Sequence, residues 1–272
     1  MLPTVRSILH YPTTPSFRAD TQAWLSVATG SYSTAERQAL DALLGGLATD
    51  GILSFDRLYL LQFGDNEADS LRCVVSLGSA STEGSTPPTF VRRQGWQGNT
   101  VNGSLNTGWA PSSGVNFQQS SCSVGCYVRR VSTVPSTLRF LLGCSGGASS
   151  FIISIGVGVN NTDTLYRVNS GLNTQNLSTV VPTDSSYCSI NRSTGTVAIA
   201  RKDSIELNTN VNSTGRTSTP LRLLARTVGL SIDGRANHEL AMAHAGAAQT
   251  TAQNASFRSR VDTFNTAIGF IP

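Results

Sequence analysis

The 272-residue sequence contains few charged residues and a single lysine. Charged residues make up 13% of the chain, and the net charge of +4 is the difference between 20 basic and 16 acidic residues, 19 of the basic ones being arginine. A helical bundle or coiled coil would be richer in Ala, Glu, Lys and Leu, and a disordered chain would carry more charge. The arginines are scattered rather than gathered on one stripe, so we expect no nucleic-acid partner.

Long apolar runs and targeting signals are also missing. The longest mainly apolar stretch, 151–159, has the length of a strand and falls short of the ~20 residues that span a bilayer. The first ten residues lack a basic segment followed by an apolar one. The sequence therefore predicts no signal peptide and no membrane insertion.

The five cysteines do not form a disulfide or metal pattern. Their odd number and the missing secretion signal favour reduced thiols. Cys122 and Cys126 have a C-x-x-x-C spacing, but they lie on one face of a predicted strand, where residues four apart are ~13 Å apart. Since no second Cys or His pair completes a zinc site, we expect buried free cysteines, no metal and no other cofactor.

The middle of the chain has the pattern of a β-sandwich. Ser, Thr and Asn total 82 residues and Gly adds 25, a composition that strands and their turns use. From about residue 89, short runs alternate apolar and polar residues; for example, 197–199 pairs by pattern with 205–207 across the polar turn 201–204. We predict a mainly β fold, with antiparallel strands in two packed sheets over 89–246.

Helices are predicted on both sides of this β region. Two capping boxes, one starting at Ser33 and one at Thr250, predict helices near 34–48 and 251–268, each with an apolar stripe. A shorter helix is expected within 17–30. Because its early prolines favour extended backbone, we interpret 1–33 as an extended or short-helical anchoring segment. The remainder, 34–272, is then a sandwich with two docking helices.

One motif imitates a hydrolase. Residues 143–147 match the G-x-S-x-G nucleophile elbow around Ser145, and the histidines His238 and His244 follow later in the chain. An elbow needs a strand, a strained turn and then a helix, whereas the next predicted element here is a strand. We therefore interpret the run as a hairpin turn and assign no catalytic residue.

Aromatic and amide side chains offer the alternative of sugar binding. The aromatic faces of Trp96 and Trp109 suit the C–H side of a sugar ring, and the nearby Gln97, Asn99 and Asn106 suit its hydroxyls. These five are the glycan-contact candidates. The competing interpretation is that the tryptophans fill the core or a contact between chains, because large aromatic residues are mostly buried.

The same residues carry a resemblance. The runs 95–99 (Gly-Trp-Gln-Gly-Asn) and 103–109 (Gly-Ser-Leu-Asn-Thr-Gly-Trp), followed by 122–129 and 240–246, resemble a family of phage and prophage proteins. Members of that family have a concanavalin-like, LamG-type jelly-roll β-sandwich. The resemblance covers about 34–269, and its motifs are short and carry no catalytic residue.

The resemblance implies a structural protein of a tailed bacteriophage virion, assembled in the bacterial host cytoplasm. Its partners would be other virion proteins and copies of itself, a trimer being the most plausible. The module would be presented on a tail fibre, baseplate or head appendage, where it contacts host glycans. The alternatives are a capsid decoration or connector protein without a ligand and, third, a glycan hydrolase or esterase.

Overall fold

The computed structural model describes residues 16–132, 137–147, 151–158, 164–170 and 181–272, in which four α-helices and sixteen strands form. The helices are α1 (Ala19–Val27), α2 (Thr34–Thr49), α3 (Glu67–Ser70) and α4 (Thr251–Ala267). The strands are β1 (Phe55–Tyr59), β2 (Ser81–Glu83), β3 (Thr89–Val91), β4 (Gly95–Gln97), β5 (Ser104–Asn106), β6 (Cys122–Arg130), β7 (Arg139–Ser145), β8 (Ile152–Val157), β9 (Thr164–Ser170), β10 (Ser186–Arg192), β11 (Val197–Lys202), β12 (Ile205–Asn210), β13 (Arg222–Leu223), β14 (Arg226–Val228), β15 (Ser231–Asp233) and β16 (Glu239–Gly246).

The strands form two sheets. The first has the order β12-β11-β10-β6-β16-β4-β3, with β1 also paired to β16. The second has the order β15-β14-β7-β13-β5-β2, and β8 lies between β7 and β9. The strand pairs are antiparallel except for β14, which runs parallel to the end of β7. The predicted mainly antiparallel sandwich is confirmed.

Side chains of both sheets meet in one core. Strand alternation places Cys122, Val124, Cys126 and Val128 of β6 on the inner face, opposite Ile153 and Ile155 of β8. All five cysteines are buried and free, as predicted.

A second core lies on the other face of the first sheet, under the helices. There α2 and α4 pack on each other and on the outward side chains Tyr127, Tyr187 and Met242. Both predicted capping boxes are present, at Ser33 and at Thr250. The described residues therefore form three layers, in which their helices cover the first sheet.

Two details differ from the sequence predictions. The β11–β12 hairpin turns over the two residues Asp203 and Ser204 instead of 201–204, and residues 197 and 199 pair with 210 and 208 instead of with 205–207. Ala198 and Ala200 are the β11 residues that face the core. The strands therefore continue through the residues predicted as turn, because Asp203 adopts a positive φ of 53° and permits a two-residue connection.

The first fifteen residues of the predicted anchoring segment 1–33 lie outside the described residues. Its second half is packed: Trp24 of α1 is 1% exposed and its ring lies 5.3 Å from the rings of Tyr32 and Phe63. The anchoring role of 1–33 stays a prediction, but residues from α1 onward contribute to the helical core.

Candidate functional site

The two tryptophans proposed as sugar platforms are buried. Trp96 is fully buried and Trp109 is 3% exposed, and both belong to the core between the sheets. The indole nitrogen of Trp96 donates to Ser70 Oγ at 2.9 Å, and the ring of Trp109 meets Phe117 edge-on. Their positions fit the competing interpretation, that they fill the core, and leave neither ring face open to a sugar.

The three amide candidates lie in different surroundings. Gln97 is exposed at the end of β4. Asn99 organises its own loop: Oδ1 accepts hydrogen bonds from the amides of Val101 and Gly103, and Nδ2 donates to Thr86 O. Asn106 belongs to a different sheet and a charged network, described below. The five candidates therefore do not form one site.

The glycines of the 95–99 run are explained by close backbone packing. A Cβ on Gly95, which has a φ of +110°, would lie 2.1 Å from Leu240 O, and a Cβ on Gly98 would lie 1.8 Å from Ala236 O. Only glycine fits at either position. The two glycines of this motif are therefore explained by the close packing of β4 against Leu240 of β16 and of Gly98 against Ala236, which precedes β16.

A polar network occupies the outer face of the second sheet. Because Leu105, Leu142, Ile153 and Leu223 point into the core, the alternate residues of those strands point away from it. Cross-strand pairing then aligns one outward row, which runs Arg167, Ser154, Gly143, Arg222 and Asn106 from β9 through β8, β7 and β13 to β5. We call this row and its charged neighbours Glu83, Arg226 and Asp233 the arginine face.

Glu83 and Arg222 form the centre of one half of this face. Arg222 donates two hydrogen bonds, of 2.8 and 3.1 Å, to the carboxylate of Glu83, and Asn106 Nδ2 donates a third at 2.8 Å. Burial alone would raise the pKa of Glu83, but the hydrogen bonds from Arg222 and Asn106 outweigh it and lower the pKa. The carboxylate is therefore ionised at neutral pH and acts as a hydrogen-bond acceptor.

Arg226 and Asp233 form the other half. Their side chains make two hydrogen bonds, of 3.1 and 2.6 Å, and the Arg226 guanidinium lies 4.3 Å from the ring centre of Phe140. A side chain on Gly143 would collide with Arg226, since an added Cβ would lie 2.9 Å from Arg226 Cγ. The bidentate pairing and the stacking hold this guanidinium in one orientation. The carboxylate of Asp233 remains 45% exposed.

Sequence reasoning found only Asn106 of this network. Glu83, Arg222, Arg226 and Asp233 are separated by up to 150 positions, and short strands of two or three residues bring them together. The alternation around Leu105 and Leu223 was the available signal that their neighbours share one outward face.

The hydrolase-like residues do not assemble into a strand–turn–helix elbow. Ser145 ends β7, and the next described element is the antiparallel strand β8. Ser145 Oγ donates to Gly147 O. His238 Nδ1 accepts from the amide of Ser132, and His244 Nε2 hydrogen-bonds to the hydroxyl of Tyr187.

A concavity lies between α4 and the β11–β12 turn. It has a volume of about 570 Å³ and is lined by polar residues, including Ser259 and Thr263. Arg258 spans it, paired with Asp203 at the turn and with Asp262 on the helix. We call this concavity the helix groove, and its arginine is neutralised from both sides.

Metal-ligand clusters and membrane-spanning helices are both absent from the ranges that the structure describes. There, no group of three or more His, Cys, Asp or Glu side chains is placed to hold a metal ion. Over the same ranges, none of the helices combines the length and apolar character that a membrane crossing requires.

Neither a protein-family model nor a curated protein matches this sequence. Solved structures do resemble its fold. A Trypanosoma rangeli sialidase mutant displaying trans-sialidase activity matches with a TM-score of 0.54 and 10% identity over 85% of this chain and 40% of that one. Domain 4 of an extracellular GH43 arabinanase from Geobacillus stearothermophilus, in complex with arabinotriose, matches with a TM-score of 0.50 and 12% identity over 75% and 98%.

The binding domain of botulinum neurotoxin serotype D matches with a TM-score of 0.50 and 7% identity, over 79% of this chain and 52% of that one. The chain therefore spans less than half of the sialidase but nearly all of the arabinanase domain. At these identities the likeness shows a shared β-sandwich fold.

Proposed function

We propose that this chain is a non-catalytic carbohydrate-binding module and that the arginine face is its binding surface. Two ion pairs, Glu83–Arg222 and Asp233–Arg226, carry the proposal. Both lie on the outer face of the second sheet, which no described helix covers. Fixed carboxylates accept hydrogen bonds from sugar hydroxyls, and guanidinium and amide groups donate to them.

The similar structures support this proposal at the level of the fold. The arabinanase domain was solved with arabinotriose, so this type of sandwich can carry an oligosaccharide in another protein. Binding rather than hydrolysis is favoured because Glu83 is held ionised by Arg222 and cannot serve as a general acid.

A matched pair of variants tests where sugars bind. Asp233 of the arginine face and Asp262 of the helix groove are both 45% exposed, and each pairs with one arginine. A glycan array screen of the whole chain comes first, followed by calorimetry on the strongest ligand. We expect Asp233→Asn to weaken binding at least tenfold and Asp262→Asn to leave it unchanged.

Two other outcomes would contradict the assignment of sugar binding to the arginine face. Loss of binding in Asp262→Asn alone would move the site to the helix groove. A wild-type chain that binds no saccharide of a broad array would refute the proposal. Circular dichroism and thermal melting of each variant separate lost contacts from lost folding.

We further propose that the module belongs to a tailed-phage virion, as the resemblance over 34–269 implies, and that it self-associates there. Its sparse charge supports association, because weakly charged surfaces repel one another little. The rival assignments are a decoration or connector protein without a ligand and a glycan hydrolase or esterase. Mass spectrometry of purified particles and light scattering of the isolated chain test placement and oligomeric state; absence from particles together with a monomer would refute this part.

A further inference from the structure

One edge of the first sheet is open to solvent. Strand β12 ends that sheet, and among the described strands it pairs with β11 alone. Its residues Glu206, Asn208 and Asn210 are exposed, and Ile205, which begins the strand, is 46% exposed. The strand is six residues long and pairs with β11 in one unbroken register. Such an edge presents a row of backbone donors and acceptors to solvent.

Other outer strands of the described sheets are short or covered. Strands β2, β3 and β15 have three residues each, and all seven residues of β9 are buried. Proteins protect edges from a second chain by such shortening and covering, and also by proline, lysine or a bulge. Strand β12 contains no proline, lysine or bulge, and its charged side chain, Glu206, is paired with Arg201 of β11. Of the described edges, β12 is therefore the one best suited to accept a further strand.

The hairpin geometry fixes which backbone groups of β12 point outward. The amide of Asp203 donates to Tyr187 O, on the β10 side of β11. Because hydrogen-bonding direction alternates along an antiparallel strand, the next residues of β11 in the other phase bond to 205, 207 and 209 of β12. The N–H and C=O groups of the intervening residues Glu206, Asn208 and Asn210 then point away from β11, into solvent.

We propose that β12 pairs antiparallel with β12 of a second copy, with Asn208 at the two-fold axis, so that the first sheets of two copies become one. In this register Asn208 lies opposite its counterpart, and Glu206 lies opposite Asn210 of the second copy. Each opposed pair exchanges two backbone hydrogen bonds, since all these groups point outward. The pairing uses the whole strand.

The side chains along β12 are self-complementary in this register. On one face, the exposed Ile205 lies opposite the partly exposed Val211 of the second copy, so that an apolar pair leaves water. On the other face, the carboxylate of Glu206 lies opposite the amide of Asn210, which can donate to it. Like charges do not meet. This complementarity favours a second copy of the chain over an unrelated strand.

The inference rests on the self-association proposed above and names its surface. Pairing about a two-fold axis closes into a dimer, whereas the sequence resemblance favoured a trimer. Because six residues on each side make an interface at the small end of the range for protein complexes, the dimer should dissociate on dilution.

Analytical ultracentrifugation of the whole chain over a series of concentrations tests the pairing with two charge-matched variants. Asn208→Lys places two lysines opposite each other at the two-fold axis and should raise the dimer dissociation constant at least tenfold. Asn210→Lys places its lysine opposite Glu206 of the second copy and should leave the constant unchanged or lower it. Both positions are exposed, so both variants should melt like the wild type.

Oxidative cross-linking locates the two-fold axis independently. All five native cysteines are buried, so a cysteine added to β12 is the accessible thiol. Asn208→Cys should form an intermolecular disulfide when copper phenanthroline is added as the oxidant, because directly opposed residues have Cβ atoms about 5 Å apart. Asn210→Cys, on the same strand, would have its counterpart ~13 Å away and should cross-link at least fivefold more slowly.

The results that would overturn the inference differ from failure of the proposed function. A wild-type chain that stays monomeric at its highest soluble concentration would refute the second copy as the occupant of this edge, and self-association with it. A trimer, a dimer that Asn208→Lys leaves intact, or equal cross-linking rates at 208 and 210 would refute pairing through β12 while self-association stands. Sugar binding is measured separately, on the glycan array, and none of these results changes it.

Discussion

The hydroxyl of Tyr187 lies 2.7 Å from Nε2 of His244, in the buried layer between the first sheet and α4. Phe257 of α4 packs against both rings, with ring centres 5.4 and 5.1 Å away. Burial lowers the pKa of His244 to about 3. The imidazole is therefore neutral in the folded protein at neutral pH.

The first prediction is a loss of stability in mild acid. The folded pKa of His244 is about 3, below the ordinary 6.5 of the unfolded chain, so below about pH 6.5 the unfolded state takes up a proton that the folded state does not. Stability is thus full above that pH and falls with acidification, by about 2 kcal/mol for this residue at about pH 5. His238, whose burial and nearby Arg139 lower its pKa to about 4, adds to the effect.

Urea unfolding of the wild type and of His244→Gln at about pH 7 and about pH 5 measures this. The variant should be less stable at neutral pH but should lose about half as much on acidification, because His238 is then the one histidine of the described residues that still contributes. Equal losses in the two proteins would contradict the assignment. Working no lower than about pH 5 keeps the contribution of the carboxylates small, because their ordinary pKa values lie near 4.

The second prediction concerns the glycine under this histidine. A Cβ on Gly125 of β6 would lie 2.4 Å from His244 Nε2 and 2.9 Å from Cys188 O. Gly125→Ala should therefore displace the imidazole and destabilise the fold by about 2 kcal/mol, the usual cost of overpacking. Gly195→Ala is the control, since its Cβ would meet only Ser120 Oγ at 3.7 Å. Similar melting temperatures for the two variants would show that the layer can yield.

The sequence predicted the positions of helices and strands better than it predicted which of their side chains would be buried by tertiary packing. The capping boxes at Ser33 and Thr250 are local, so they could be read directly, and the alternation in β6 and β8 identified the inner face. The burial of Trp96 and Trp109 depends on which strands pack over them. Period-two alternation cannot distinguish the core from an exposed sugar platform, so both interpretations remained open at that stage.

Non-local charge networks were the least predictable part. Glu67 and Asp69 lie two positions apart in a polar stretch of the sequence, a pattern that favours solvent exposure, yet Asp69 is 1% exposed. Glu83 and Arg222, 139 positions apart, meet only because β5 lies between β2 and β13. Such contacts follow from strand order, which the sequence alone did not specify.

The third prediction follows from Asp69. Its carboxylate accepts hydrogen bonds from the amides of Thr29 and Gly30, at 3.0 and 2.7 Å, and from the hydroxyl of Tyr32 at 2.9 Å. Burial alone would raise its pKa, but these hydrogen bonds outweigh burial and lower it. Asp69→Asn should destabilise the protein by about 3 kcal/mol, because an amide cannot accept the same three bonds without presenting a donor.

The exposed Glu67→Gln, in the same helical turn, is its control and should change the free energy of unfolding by less than about 0.5 kcal/mol. Chemical denaturation measures both. A small effect of Asp69→Asn would mean that the α1–α2 connection is held mainly by the packing of Trp24 against Tyr32 and Phe63.

The last prediction concerns the five thiols. Burial raises the pKa of Cys122 to about 12 and raises the pKa values of Cys126 and Cys188 as well. Because the thiolate is the reactive form, the folded protein should react with almost no DTNB at neutral pH, whereas the urea-unfolded chain should release five equivalents. The rate of DTNB labelling of the folded wild type and of Gly125→Ala compares how readily the first sheet opens in the two proteins. Cys126 and Cys188 report on this opening because they face each other across β6 and β10 next to Gly125. The variant should be labelled faster at these positions, and fast labelling of the native wild type would show that the first sheet opens far more readily than its packing implies.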